Sequence, residues 1–198
     1  MRICIFGAST TYGSGDSEMG GWVDRLKVYL AKKNYKNQTY NLGISGATSE
    51  MLLERMECEV KPRRLDVVIV GLGGNDSSYR EKLGRRFVEL DEFKNNLNKI
   101  FGIAKKYTNK IIFLGAYEMD EARTNPTEWN EYIFYKNKDL KEYNDIVEDF
   151  CIKNKIDFIN IYNLDLKENL IDGVHVDGAG HEKIFQKVKK DLLKNKII

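Results

Sequence analysis

Short β-rich runs alternate along the chain with longer amphipathic stretches, and this alternation is the strongest constraint on the fold. Several of the short runs are almost continuously apolar, as strands covered on both faces are. The pattern predicts an α/β fold with parallel strands in the middle and helices on both faces. The predicted strands are Arg2 to Phe6, Gln38 to Leu42, Asp66 to Val70, Lys110 to Leu114 and Asp157 to Ile159. The predicted helices are Gly21 to Lys33, Ser49 to Cys58, Phe87 to Tyr107, Lys136 to Asn154 and Gly178 to Lys194.

Length and charge narrow the class of protein. The 198 residues fit one domain, residues 1–198, because single cores stop growing only beyond about 250 residues. A net charge of +2 gives no strong attraction to nucleic acid or to an anionic membrane. No stretch approaches the ~20 apolar residues of a membrane span, and the apolar start is too short for a secretory signal. We therefore expect a cytoplasmic protein whose partner is a small molecule, with the oligomeric state left open.

Polar or glycine residues follow each of the first three predicted strands. The three segments are Gly7 to Gly13, Asn41 to Gly46 and Gly71 to Asp76. In open parallel sheets, ligands bind beyond the carboxyl ends of the strands. Ser9 in the first segment, Gly43 in the second and Asn75 in the third are therefore the first candidates for a site.

The two histidines of the chain both lie near the start of the last predicted helix, at His175 and His181. A serine needs a neighbouring base to become a nucleophile, and the base works best when a third group orients it. Asp172 lies three residues before His175, which lets its carboxylate accept a hydrogen bond from the imidazole. Ser9, His175 and Asp172 therefore form a candidate catalytic triad.

These segments resemble the SGNH, or GDSL-like, hydrolases, whose four marker residues lie in four separated blocks in the same order. Ser9 matches the first block, Gly43 the second, Asn75 the third, and His175 with Asp172 the last. The resemblance spans almost the entire chain. It implies a three-layer α/β/α sandwich with a five-stranded parallel sheet in the flavodoxin-like strand order 2-1-3-4-5.

The resemblance also implies the chemistry, which is acyl transfer through a covalent acyl-enzyme. Ser9 N–H, Gly43 N–H and the Asn75 side-chain amide would form the oxyanion hole. The first block of the family commonly reads Gly-Asp-Ser, whereas this chain has Gly7-Ala8-Ser9. We expect activity to survive, because the missing carboxylate is not part of the triad.

Each candidate also has a structural interpretation. Ser9 could cap a helix, and Gly43 and Asn75 could be turn residues. His181 is the rival base, although packing or capping is the commoner role at its position. Asp177 is expected to cap the last helix, and Asp76 to support its loop.

The segment from Ala116 to Tyr135 is rich in aromatic residues, among which Tyr117 and Trp129 are candidates for substrate binding. Neither histidine nor cysteine spacing fits a metal site, and no phosphate-binding glycine motif occurs, so we expect no metal and no cofactor. The favoured function is hydrolysis of a small acyl ester, for example an acetylated sugar or metabolite. The alternatives are an acyltransferase with the same triad and a non-catalytic flavodoxin-like domain that binds a ligand.

Overall fold

One parallel sheet of five strands runs through the molecule with helices on both faces. The structure is a computed structural model that describes residues 1–80 and 85–198. The strands are β1 Arg2–Gly7, β2 Gln38–Gly43, β3 Val67–Gly71, β4 Tyr79–Arg80, β5 Lys110–Leu114, β6 Ile133–Phe134 and β7 Asp157–Ile159. The main sheet has the order β2-β1-β3-β5-β7, and β4 pairs with β6 in a separate two-stranded sheet. Counted within the main sheet, the order is 2-1-3-4-5, which confirms the predicted α/β class and topology.

The helices lie within a few residues of the predicted ranges. They are α1 Ser9–Tyr12, α2 Trp22–Lys33, α3 Ser49–Val60, α4 Leu90–Lys105, α5 Asn137–Asn154 and α6 Gly178–Lys194, with short 3-10 turns at Lys61–Arg63 and Lys167–Asn169. The sequence pattern did not predict α1, because a single turn is too short to show helical periodicity.

Two apolar cores lie on opposite faces of the sheet, since successive side chains of a strand point to opposite faces. Ile3 and Ile5 of β1 pack with α2 and α6. Cys4 and Phe6 of the same strand pack with α3, α4 and α5. All four side chains are fully buried, and full burial of a side chain such as isoleucine or phenylalanine contributes about 1.5–3 kcal/mol. The central strands are thereby held rigidly, which fixes the positions of their carboxyl ends.

The strand order creates a crevice at the carboxyl end of β1. This strand lies between β2 and β3. The connection after β1 therefore leads to the neighbouring strand on one side, and the connection after β2 leads to the neighbouring strand on the other side. Ligands of open α/β sheets bind at this kind of switch point. Ser9 follows β1 and Asn75 follows β3, so both residues lie at this edge.

Candidate active site

Ser9 begins α1 directly after β1. The N-cap residue of α1 is Ala8, so Ser9 does not cap the helix. The Ser9 side chain is largely buried. Among residues 1–80 and 85–198, neither its Oγ nor its backbone N–H has a hydrogen-bond partner. Ser9 thus presents a free hydroxyl and a free donor at the end of β1.

Ala8 occupies the position where SGNH hydrolases commonly have an aspartate. Its side chain forms no cap. The turn is closed by backbone hydrogen bonds from Tyr12 N–H to Ala8 O at 2.9 Å and from Gly13 N–H to Ser9 O at 2.9 Å. The turn that carries Ser9 therefore forms without a carboxylate at position 8.

Asp172 and His175 form a closed turn before α6. Asp172 Oδ1 accepts hydrogen bonds from Val174 N–H at 3.0 Å and His175 N–H at 2.7 Å, and His175 Nδ1 lies 2.6 Å from Asp172 Oδ2. Burial acts to raise the pKa of Asp172, but the hydrogen bonds from the His175 side chain and from the two N–H groups lower it overall. An ionised Asp172 keeps the proton of neutral His175 on Nδ1, which leaves Nε2 as a proton acceptor.

A chain of hydrogen bonds joins the Ser9 turn to the His175 turn. Tyr117 Oη donates its single proton to Val174 O at 2.8 Å. The Thr10 hydroxyl, whose Oγ1 lies 3.1 Å from Tyr117 Oη, is therefore the donor in the second hydrogen bond. Thr10 follows Ser9, and Val174 precedes His175. The structure shows no direct hydrogen bond between Ser9 and His175. Catalytic hydrogen bonds are often long or poorly aligned before substrate binds, so the lack of a direct bond does not argue against a triad.

Asn75 lies in the loop after β3 with its side-chain amide bonded at both ends. Its Nδ2 donates to Ala47 O at 3.0 Å, and its Oδ1 accepts from Tyr135 Oη at 2.8 Å. The neighbouring Asp76 is buried and accepts hydrogen bonds from Ser49 N–H at 2.8 Å and Gly73 N–H at 3.2 Å, so it supports its loop as expected. One N–H of the Asn75 amide remains free to bind an oxygen atom.

Gly43 does not have the donor role that we predicted for it. Its N–H donates to Asn41 Oδ1 at 3.1 Å. The next residue, Ile44, donates its N–H to Gly7 O. Successive N–H groups of a strand alternate in direction, so the Gly43 N–H points away from β1 and Ser9. A Cβ atom at Gly43 would lie 2.3 Å from Tyr12 N, so this glycine instead permits close packing of α1 on β2.

Gly46 offers a candidate backbone donor that sequence reasoning missed. It lies in a turn closed by a hydrogen bond from Ala47 N–H to Ile44 O at 3.0 Å, and its φ angle is +79°. Within the described parts of the chain its N–H has no acceptor. The adjacent Ala47 carbonyl binds the Asn75 amide, which places Gly46 beside the site. The left-handed turn position could have indicated it, since glycine favours that conformation.

His181 is fully buried, and both of its ring nitrogens bind backbone groups. Nε2 lies 2.9 Å from Ser14 O, and Nδ1 accepts from Trp22 N–H at 3.3 Å. Burial lowers the pKa of the imidazole, so it is held neutral. His181 therefore has the packing role expected of it. Asp177 caps α6 through a hydrogen bond from Gly180 N–H at 2.8 Å, also as expected.

Sequence reasoning missed a buried ion pair between Asp16, in the segment after α1, and Arg25. Through Arg25 this pair is joined to the start of α6. Arg25 also donates to Gly178 O at 3.1 Å and to Glu182 Oε2 at 3.0 Å. Burial acts to raise the pKa of Asp16, but the hydrogen bond from Arg25 and three backbone N–H donors lower it well below its ordinary value. The pair joins segments more than 150 residues apart, a separation at which no local sequence pattern is expected.

A cavity of about 70 Å³ lies beside Ser9. Its lining includes Ser9, Asn75, Tyr117 and Tyr135 together with several glycine and alanine residues. Tyr117 thus forms part of the cavity wall. The Trp129 ring lies 5.3 Å from the His175 ring and is 45% exposed. Tyr117 is therefore a buried part of the cavity wall, whereas Trp129 is an exposed residue that packs against the His175 ring.

Within residues 1–80 and 85–198, no group of three or more histidine, cysteine, aspartate or glutamate side chains is arranged to hold a metal ion. The same residues contain no helix that is both long and apolar enough to span a membrane.

A sequence model described as the GDSL-like Lipase/Acylhydrolase family matches residues 5–183. The isoamyl acetate-hydrolyzing esterase 1 homolog of Homo sapiens is 25% identical over 93% of this chain and 78% of its own length. A lipase/acylhydrolase from Enterococcus faecalis has a similar fold, with a TM-score of 0.77 at 22% identity over 96% of this chain and 94% of that one.

An acetyl xylan esterase from Geobacillus stearothermophilus also shares the fold, with a TM-score of 0.75 at 20% identity over 96% of this chain and 94% of that one. Three of its structures are described as catalytic mutants, of a serine near the start of that chain and of an aspartate and a histidine three positions apart.

Proposed function

Since the chain belongs to the GDSL-like Lipase/Acylhydrolase family and is a carboxylic ester hydrolase, we propose that it hydrolyses short-chain acyl esters through an acyl-enzyme on Ser9. The observation that carries this proposal is the hydrogen-bonded pair of Asp172 and His175, which the Tyr117 hydroxyl ties to the Ser9 turn. The related acetyl xylan esterase supports it, because its catalytic aspartate and histidine have the same separation of three residues.

The reaction proceeds in two halves. Ser9 Oγ attacks the carbonyl carbon of the ester while His175 Nε2 takes the hydroxyl proton, and Asp172 stabilises the imidazolium that forms. His175 then gives the proton to the leaving alcohol oxygen, which leaves an acyl group on Ser9. Water attacks this acyl-enzyme, again with His175 as the base, and the free acid departs as Ser9 recovers its proton.

The negative oxygen of the tetrahedral intermediate is stabilised by three N–H donors. We assign these to the Ser9 N–H, the second N–H of Asn75 Nδ2 and the N–H of Gly46, which replaces Gly43 in this role. Each has no protein acceptor within residues 1–80 and 85–198. Losing one such donor typically costs roughly 2.7 to 4 kcal/mol of transition-state stabilisation.

The acyl group is short, on the scale of acetyl. The cavity beside Ser9 has a volume of about 70 Å³, whereas pockets for drug-sized ligands have ~300–1,000 Å³. Two of the similar proteins are named for acetyl esters of unlike alcohols, isoamyl alcohol and xylan. The shared feature is the acyl group, so acetyl esters are the first substrates to test.

A chain-length series tests this function. The p-nitrophenyl esters of acetate, butyrate and octanoate are compared by kcat/KM, and we expect acetate to be cleaved best and octanoate worst. Ser9→Ala should abolish turnover, whereas Ser45→Ala, a control at an exposed serine, should retain it. Preference for octanoate would contradict the assignment of the cavity. Undiminished turnover by Ser9→Ala would contradict the assignment of the nucleophile.

A product analysis separates hydrolysis from acyl transfer. With an added alcohol as competing acceptor, we expect free acid to remain the main product. A new ester as the main product would identify the protein as an acyltransferase instead.

A further inference from the structure

Tyr135 contacts the candidate oxyanion hole from a distant part of the chain. Its hydroxyl donates to Asn75 Oδ1 at 2.8 Å, although the two residues are 60 positions apart. We infer that Tyr135 is a positioning residue that fixes the direction of the Asn75 amide, so that an N–H and not the carbonyl oxygen faces the reacting ester. This inference rests on the proposed function, since it assigns the control of a group that the proposed reaction uses.

The direction of the amide matters because its two ends have opposite chemistry. The nitrogen carries two donors, and the oxygen can only accept. In the observed orientation, Nδ2 donates one hydrogen to Ala47 O and keeps the other free, while Oδ1 is bound to Tyr135. A reversed amide would place its oxygen against the Ala47 carbonyl and against the negative charge of the tetrahedral intermediate. Both contacts are repulsive, so orientation decides whether Asn75 stabilises or opposes the transition state.

Without Tyr135, the amide would be held only by Ala47 among the residues that the structure describes. The backbone of the loop is held by hydrogen bonds from Gly73 N–H to Asp76 and from Ser78 N–H to Asn75 O, but these bonds do not fix the torsion angles of the Asn75 side chain. Two anchors at opposite ends define the plane of an amide, whereas one anchor lets it turn about that bond. The Tyr135 hydroxyl is thus the second point that makes the donor rigid before substrate binds.

Tyr135 is itself held firmly and remains a donor over a wide pH range. Its N–H donates to Thr124 O at 2.9 Å, and its side chain is 5% exposed. Burial raises the pKa of the Tyr135 hydroxyl to about 12, so it stays protonated in any ordinary assay. The aromatic segment that contains Tyr135 also contains Tyr117, which binds Val174 next to His175. One segment therefore supports both the oxyanion side and the base side of the site.

A double-mutant cycle tests the inference with p-nitrophenyl acetate as the substrate. Tyr135→Phe removes only the hydroxyl, and we expect it to lower kcat about 10- to 100-fold while KM changes little. Asn75→Ala should lower kcat further, by roughly 10²- to 10³-fold. In the Asn75→Ala background, Tyr135→Phe should have almost no additional effect, because the group it positions is gone. Tyr162→Phe is the matched control, since its hydroxyl donates to Asn137 O at 3.2 Å, a backbone carbonyl outside the proposed catalytic groups.

The outcomes separate this inference from the proposed function. If Tyr135→Phe retains the wild-type kcat while Ser9→Ala is inactive, the positioning role is wrong and the function stands. If the effects of Tyr135→Phe and Asn75→Ala multiply in full, Tyr135 acts independently of Asn75, and the inference is again overturned. If the wild-type protein cleaves no ester, the proposed function itself fails. Circular dichroism and the melting temperature of each variant establish that the comparison is made between folded proteins.

Discussion

The two histidines of the chain are six residues apart and have opposite surroundings. His175 lies in a turn at the edge of the site with a carboxylate on Nδ1 and no protein partner on Nε2 within the described residues. His181 lies in the core with one backbone partner on each ring nitrogen. A free nitrogen opposite an ionised carboxylate is the arrangement that a general base needs, whereas two occupied nitrogens make a structural crosslink.

Different arginines hold these two regions. Arg123 donates to Leu170 O at 3.1 Å and Ile171 O at 2.7 Å, just before Asp172, and also pairs with Glu128. Arg25 and its buried partner Asp16 hold the start of α6 instead. One short stretch of sequence therefore contains a turn with an unoccupied imidazole nitrogen and a structural helix start, each supported by its own arginine.

Replacing each histidine in turn should separate the two roles most strongly. His175→Ala should lower kcat about 10⁴- to 10⁶-fold because the general base is lost, with a melting temperature close to that of the wild type. His181→Ala should instead lower the free energy of unfolding by about 2–5 kcal/mol, with kcat per folded molecule retained. Steady-state kinetics and chemical denaturation of both variants check this. The reverse pattern would make His181 the base.

Asp172 and Asp177 lie in the same stretch as the two histidines, and their replacements should differ in the same way. Asp172→Asn should lower kcat about 10⁴-fold, since an amide neither selects the tautomer of His175 nor stabilises its charged form. Asp177→Ala should leave kcat unchanged and cost about 1–2 kcal/mol of stability, because it removes the cap of α6 and the acceptor of the Asn169 side-chain amide. Equal kinetic effects of the two substitutions would argue against the assigned roles.

Replacing Arg123, which supports the Asp172 turn, should have a smaller effect on activity than replacing Asp172 itself. Arg123→Gln should lower kcat/KM about tenfold, because two carbonyls before Asp172 lose their charged donor and the turn becomes less well positioned. Arg86→Gln is the control, since Arg86 is likewise a partly buried arginine with several acceptors, the carboxylates of Asp139 and Glu142, but does not contact the Asp172 turn. If the control variant lost as much activity, a general effect of arginine loss would explain both results.

Acid should destabilise the folded protein through His181, and this is the smallest effect expected. Burial lowers the pKa of His181 in the folded protein, so below about pH 6.5 the unfolded chain binds more protons than the folded one. Stability should therefore fall as the pH drops through this range. His181→Gln has no titrating group there, and its stability should depend less on pH between about 7 and 5. Urea denaturation at several pH values measures this, and identical slopes for both proteins would contradict it.

The sheet and the hydrogen-bonded pair of Asp172 and His175 could be predicted from sequence because their signals are local. Short β-rich runs, several of them apolar, mark the five main strands, and the three-residue spacing of Asp172 and His175 lies within one turn. The hydrogen bond between Tyr135 and Asn75 could not be predicted, because it joins residues 60 positions apart without any shared pattern.

The assignment of Gly43 failed for a similar reason. The direction of a strand N–H depends on which neighbour the adjacent residues pair with, as the bond from Ile44 N–H to Gly7 O shows. That pairing is a property of the folded sheet, not of the glycine or its immediate neighbours in sequence.

Covalent labelling tests most directly whether Ser9 is activated by the Asp172–His175 pair. The protein is treated with a fluorophosphonate probe, digested, and the labelled peptide is identified by mass spectrometry. The account predicts rapid labelling on Ser9, none in Ser9→Ala, and strongly slowed labelling in His175→Ala but not in folded His181→Ala. Labelling of a different residue, or equal labelling rates in wild type and His175→Ala, would contradict it.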